Sequence, residues 1–231
     1  AICRPISTWR GLHSRQTDYG LALDVLHRGL TALPGEIELL FQLGRVHFVQ
    51  ARYAQALEAL EQVRRLQPER AEAYELVAQI HLINKDAGQA KVALRRGLLS
   101  NPQSAALQAR LGALLLQEGK ADSAAEHLQR ALHSDPDRAE TYYNLGQALL
   151  RGDKEAEGRQ ILAYFRLLQN EHQNLLDFKT AIVLNANDAD TFYRLGVVYA
   201  RMGRYRAASQ AYAATLSIAP EHLNALNNLG N

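Results

Sequence analysis

The sequence predicts an all-α protein, a solenoid of stacked antiparallel helix pairs, from three rows of residues spaced 34 positions apart. Prolines make the first row, at Pro34, Pro68, Pro102 and Pro136. The second reads Gly44, Ala78, Gly112 and Gly146, and the same spacing separates Gly196 from Gly230. Alanines make the third, at Ala22, Ala56, Ala90, Ala124 and, later, Ala208. Proline stops a helix because it has no amide hydrogen to donate. A constant period of this length is the mark of a repeat architecture.

The first repeat is degraded. Trp9 and Ala22 fall in register, but Arg10 takes the glycine slot and Gly29 a small-residue slot. Terminal repeats are often atypical because one of their faces meets solvent. Over residues 37–50 the stripe is Leu40, Leu43, Gly44 and His47, with helical spacing. Over residues 54–66 it is Ala56, Leu60, Val63 and Leu66. Later, Tyr142, Leu145, Gly146 and Leu149 form the same stripe, with Tyr143, Asn144 and Gln147 looking away from it. Short turns such as Ala51-Arg52-Tyr53, Glu118-Gly119-Lys120 and Met202-Gly203-Arg204 separate the paired helices. No segment alternates with period two, so no sheet is expected.

The register slips once. Ala186 occupies the proline slot 34 residues before Pro220, yet it lies 50 residues after Pro136. Two readings fit the irregular step near residues 155–188. One helix is extended by 16 residues, about 24 Å, or an unpaired extra helix covers roughly residues 173–184. The second is expected, because so long an extension would carry the next repeat away from its packing partner. The domain plan is then repeats one to five over residues 1–170, the irregular helix over 171–188, and over 189–231 a sixth repeat with the first helix of a seventh. In that last helix Leu226 and Leu229 are expected to pack inward, and Asn224, Asn227 and Asn228 to stay wet.

Composition narrows the function classes. A net charge of +2 makes nothing in the overall balance demand nucleic acid or an anionic membrane. Cys3 is the only cysteine, which excludes an internal disulfide and any multi-cysteine metal site. That fits a reducing compartment, cytoplasmic in preference, with export left open if the N terminus is processed. No run approaches the roughly 18 apolar residues of a membrane span, and no charged-then-apolar leader opens the chain. The start at Ala1 and the stop inside a motif leave open a longer parent protein.

The repeat resembles the tetratricopeptide repeat (TPR) family, on residues that match slot by slot. The family's Leu-Gly step stands at Leu43-Gly44, Leu111-Gly112, Leu145-Gly146, Leu195-Gly196 and Leu229-Gly230. Its first large residue is Leu40, Tyr74, Tyr142, Phe192 or Leu226, with Gln108 as the departure. The aromatic slot after the glycine is kept by Tyr199 and replaced by His47, His81, Leu115 and Leu149. The resemblance implies a right-handed superhelix of about six repeats and a terminal helix, with the first helices lining a concave groove. It places Phe41, Gln42, Arg45, Gln79 and Arg110 on that groove, then Tyr143, Asn144, Gln147 and Arg151. Tyr193, Arg194, Arg201, Asn227 and Asn228 complete it.

The function implied is a non-enzymatic scaffold that binds a peptide segment or partner protein in this trough. Amides and guanidinium groups suit an extended backbone, and tyrosines supply contact area at low entropy cost. Arg110 and Arg194 stand where the family's asparagine ladder would continue Asn144 and Asn228, which favours acidic or polar ligands. The chaperone-binding carboxylate clamp is not matched. Two further readings differ in class: a subunit that stacks head-to-tail into a homo-oligomer or filament, and the recruiting arm of a larger enzyme.

Plainer roles account for other rows. Glu38, Glu72, Glu140 and Asp190 sit in first turns, where an acid suits the helix dipole, as Arg64-Arg65 and Arg95-Arg96 suit the opposite ends. His47 and His81 lack the third ligand that a zinc site needs and read as packed residues. No phosphate loop, nucleophile elbow or zinc-protease motif occurs, so no catalytic residue, metal or cofactor is expected.

Overall fold

The computed structural model describes residues 18–229, which form twelve helices joined by short turns. Trp9, Arg10, Cys3 and Gly230 lie outside the described residues. The chain divides into two compact units, with the break between Asp137 and Arg138. No strand occurs among the described residues.

The first unit holds α1 (Asp18–Ala32), α2 (Ile37–Val49), α3 (Tyr53–Leu66), α4 (Ala71–Ile83), α5 (Ala87–Ser100), α6 (Ala105–Gln117) and α7 (Ala121–Ser134). Here α2 packs on α3, α4 on α5 and α6 on α7. The small-residue rows explain the pairing. A Cβ added at Gly44 would stand 2.9 Å from Leu60, and one at Gly112 2.6 Å from Leu128. The opposing alanines Ala56, Ala90 and Ala124 are fully buried. Gly97 receives Leu107 and Tyr74 in the same way.

The exits of the second helices share one geometry. Gln67, Asn101 and Asp135 sit at φ near −140° and ψ near 80°, each before a proline. The proline ring forbids the helical region to the residue ahead of it. Asn185, before Ala186, keeps that conformation at φ −144° and ψ 91°, so Ala186 does stand in a proline slot. Four of the turns inside pairs are also alike, the one between Arg151 and Glu155 being the exception. Ala51, Lys85, Gly119 and Gly203 all have φ between 56° and 77°, the left-handed region. The next residue's amide then caps the carbonyl of His47, His81, Leu115 or Tyr199.

The second unit holds α8 (Ala139–Arg151), α9 (Glu155–Leu184), α10 (Ala189–Arg201), α11 (Tyr205–Ile218) and α12 (Leu223–Leu229). Here the expectation of a separate helix at 173–184 is corrected: α9 is one helix of 30 residues, running unbroken through 170 and 171. Its two halves serve different neighbours. The first half closes the α8 pair, with Gly158 against Gly146 and Leu150 and with Leu162 against Gly146. The second half carries Leu175, Phe178 and Ile182 against Leu195 and Val198 of α10. The extension therefore carries a packing partner to the next repeat rather than away from it. The contact stripe moves roughly 130° around the helix between halves, at 3.6 residues per turn.

Two smaller expectations also change. Leu66 is 52% exposed, because the stripe of α3 ends at Val63. In α12 the inward residue is Ala225, fully buried beside Ala208 and Tyr212, while Leu226 and Leu229 stay 47% and 41% exposed.

Candidate functional site

The residues expected on the groove fall into two groups, one in each unit. In the first unit Phe41 is buried rather than open, and the Arg70 guanidinium lies 4.0 Å over its ring. Arg70 also pairs with Glu38 at 2.8 Å. Gln42 donates to Glu38 at 2.6 Å, and Arg45 donates to Gln42 at 3.2 Å. Burial works against ionisation of Glu38, yet the bonds from Gln42 and Arg70 outweigh it and hold the carboxyl below its usual range. Arg110 donates to Glu75 at 2.9 Å. Gln79 is exposed. The polar groups of this face are largely bonded to one another.

Gln108, the departure from the large-residue slot, is buried and fully engaged. Its amide donates to the Pro102 carbonyl at 2.9 Å, and its oxygen meets His127 Nδ1 at 2.6 Å. Burial lowers the affinity of His127 for a proton, as it does for His47. His47 packs in the core, as its slot implies. Among the described residues no group of three or more His, Cys, Asp or Glu side chains is placed to hold a metal ion.

The second unit presents more aromatic surface. Tyr143 is 45% exposed and leans on Phe165, with ring centres 5.3 Å apart. Tyr142 meets Tyr164 edge-on at 5.0 Å. Asn144 and Gln147 are half-buried, and Arg151 is exposed. Tyr193 lies between Tyr212, at 5.9 Å, and His222, at 4.7 Å. His222 in turn reaches Asp190 at 3.5 Å. Arg194 and Asn227 are exposed. Asn228 bonds the buried Tyr212 hydroxyl, whose pKa burial pushes up.

Beside these rings opens a cleft of about 480 Å³, lined by Val197, Arg201, Tyr205, Ser209, Tyr212 and Asn228 among others. It joins Arg201 and Asn228, two first-helix positions expected from the repeat, to the second-helix side chains Tyr205 and Ser209, which the sequence reading did not single out. Arg201 bonds Glu171 at 3.2 Å. Glu171 is 4% exposed, and its Oε2 has no hydrogen-bond partner among the described residues. Its place on α9 could be read from the sequence only with the long helix in hand.

Known proteins agree with this architecture. Family models described as tetratricopeptide repeat match residues 15–80 and 189–222, and one described as TPR repeat matches 112–151. Together they span more than half of the chain and leave α9 uncovered. No curated protein matches in sequence. The solved structure of YrrB, described as a TPR protein with an unusual peptide-binding site, is similar at 18% identity. That alignment covers 89% of this chain and 98% of YrrB, with a TM-score of 0.51. A chain of the APC/C hetero-tetramer Cut9-Hcn1 is similar at 17% identity and TM-score 0.52, over 93% of this chain and 39% of the other. At such identities the likeness is one of fold. With the 34-residue rows, the paired helices and three matching family models, the chain belongs to the tetratricopeptide repeat family.

Proposed function

We propose that this chain is a protein–protein interaction scaffold whose peptide-binding surface is the aromatic face of the second unit. The observation that carries it is the cleft beside Tyr193, where Tyr205, Tyr212, Asn228 and Arg201 converge. Tyrosine gives large contact area with few rotamers to freeze, and an amide beside it can bond a peptide backbone. The first unit offers less, because Gln42, Arg45 and Arg110 are occupied by neighbours. YrrB, described as having an unusual peptide-binding site, supports a peptide ligand on this fold. Peptides selected by phage display on the full chain test the reading. Tyr143→Ala combined with Tyr205→Ala should weaken their binding about tenfold or more, as loss of interface anchors does. Unchanged affinity would place the ligand elsewhere.

A second reading, homo-oligomerisation, is favoured by α12. Leu223, Leu226 and Leu229 are 73%, 47% and 41% exposed along one short helix. Light scattering over a concentration series should show mass rising with concentration, and a constant monomer mass would exclude it.

A further inference from the structure

The two halves of α9 use different faces, and this leaves one face without a neighbour. Gly158, Leu162 and Phe165 point toward α8 in the first half. Continued along the axis at 3.6 residues per turn, the same face carries Gln169, His172, Leu176, Lys179 and Val183. α8 begins at Ala139, which stands at the edge of a groove of about 730 Å³ floored by Arg166, Gln169, His172, Gln173 and Leu176. Beyond that edge no helix covers the face among the described residues: Leu176 is 60% exposed and Val183 84%.

Length and charge say what fits there. From Gln169 to Val183 the ledge runs about 21 Å at 1.5 Å per residue. The first helices α2, α4, α6, α8 and α10 each have 13 residues, or about 20 Å. The ledge is thus the length of one absent first helix. Its cations are Arg166 and Lys179, and among the described residues no carboxylate lines the groove. On the same helix Glu171 bonds Arg201 at 3.2 Å, and Asp177 accepts a bond from Gln173 at 2.8 Å. The His172 Nδ1 donates to the Leu168 carbonyl at 2.9 Å, which fixes the ring on the ledge.

We propose that the second half of α9 is a docking ledge for an acidic amphipathic helix of a partner protein. Apolar side chains of that helix would cover Leu176 and Val183, and its carboxylates would meet Arg166 and Lys179. The ledge is separate from the Tyr193 cleft, so either site can fail without the other.

Fluorescence anisotropy on the full chain provides the test. The probe is a fluorescein-labelled peptide as long as α8, with leucines at helical spacing and glutamates elsewhere. Saturable binding is expected, weakened about tenfold by Arg166→Glu with Lys179→Glu and kept by Arg166→Lys with Lys179→Arg. Leu176→Ser, at an exposed position, should weaken it about fivefold through lost apolar contact. Equal binding of the lysine counterpart of the probe, or no effect of charge reversal, would overturn the proposal. So would loss of probe binding in Tyr205→Ala alone, which would put the peptide in the cleft. A change in the mass of the chain itself on charge reversal would make the occupant a second copy, and would overturn it too.

Discussion

Two equivalent corners of the repeat, one in each unit, carry the same arrangement in different chemistry. In the first, Phe41 lies under Arg70, which pairs with Glu38. In the second, Tyr193 lies against His222, which pairs with Asp190. Aromatic ring, nitrogen-bearing side chain and first-turn acid occupy matching repeat positions, and that side chain ties one repeat to the next. Phe41 is sealed by its guanidinium and has no polar handle. Tyr193 is only half-buried, keeps its hydroxyl and borders an open cleft. The same scaffold thus makes a closed corner where its residues satisfy each other and an open one where they do not.

The largest effect that would break this comparison concerns α9, which has no counterpart in the first unit. Leu167→Pro, at an exposed position, removes a helix bond and should cost about 3 kcal/mol or more. Hydrogen exchange should show protection lost from α9, α10 and α11, whereas α2 to α5 keep theirs. Uniform loss across both units would mean that α9 is not the distinguishing element.

Next comes the buried amide of the first unit. Gln108→Ala leaves His127 Nδ1 and the Pro102 carbonyl without partners, and should cost about 1–3 kcal/mol in urea unfolding. The same slot in the second unit is aromatic, at Tyr142 and Phe192, so no such network is lost there.

The closed corner should then prove the more stabilising of the two. Arg70→Ala forfeits a stacked cation, about 0.5–1 kcal/mol at a partly exposed site, and an ion pair worth at most about 1 kcal/mol. His222→Ala should cost less in thermal melts but perturb the Tyr193 ring, visible in its NMR shifts. An equal cost for both would remove the distinction between sealed and open corners.

Acid should act on the first unit earlier than on the second. Burial holds His47 and His127 below the ordinary imidazole value of 6.5, so the unfolded chain binds their protons first. Stability that is intact above 6.5 therefore falls as pH drops from there toward the folded values. Carboxylates act lower. Glu61, bonded by Arg64, and Glu118, held down to about 2 by Lys120 and Lys91, contribute above the ordinary value of 4.5 and lose this as pH falls through their folded values. In the second unit Asp188, held low by Thr191, follows below 3.8. Melting temperature against pH, with His47→Leu flattening the slope between pH 7 and 5, checks the order.

The smallest effect belongs to the first unit. Ala51 and Lys85 hold the left-handed conformation that Gly119 and Gly203 hold in other turns. Replacing either by glycine should raise stability by about 1 kcal/mol, the usual penalty of a Cβ there.

The sequence by itself determined the helix pairs, their order and their turns. These depend on local chemistry: proline and its extended predecessor, a left-handed turn residue, and small side chains where helices touch. Each recurs at one spacing, so Gly44, Gly112 and Gly146 could be assigned before any contact was known. The stripe Ile161, Leu168, Leu175 and Ile182, seven residues apart, also held the signal for a single long helix. Only tertiary structure decided which neighbour each half of that helix meets. It also decided that Phe41 is closed over, that Ala225 rather than Leu226 turns inward, and that Glu171 is buried beside Arg201. A side chain's partner from another repeat depends on how far and at what angle two helices approach. That angle is fixed by many small contacts together, and no single spacing along the chain encodes it.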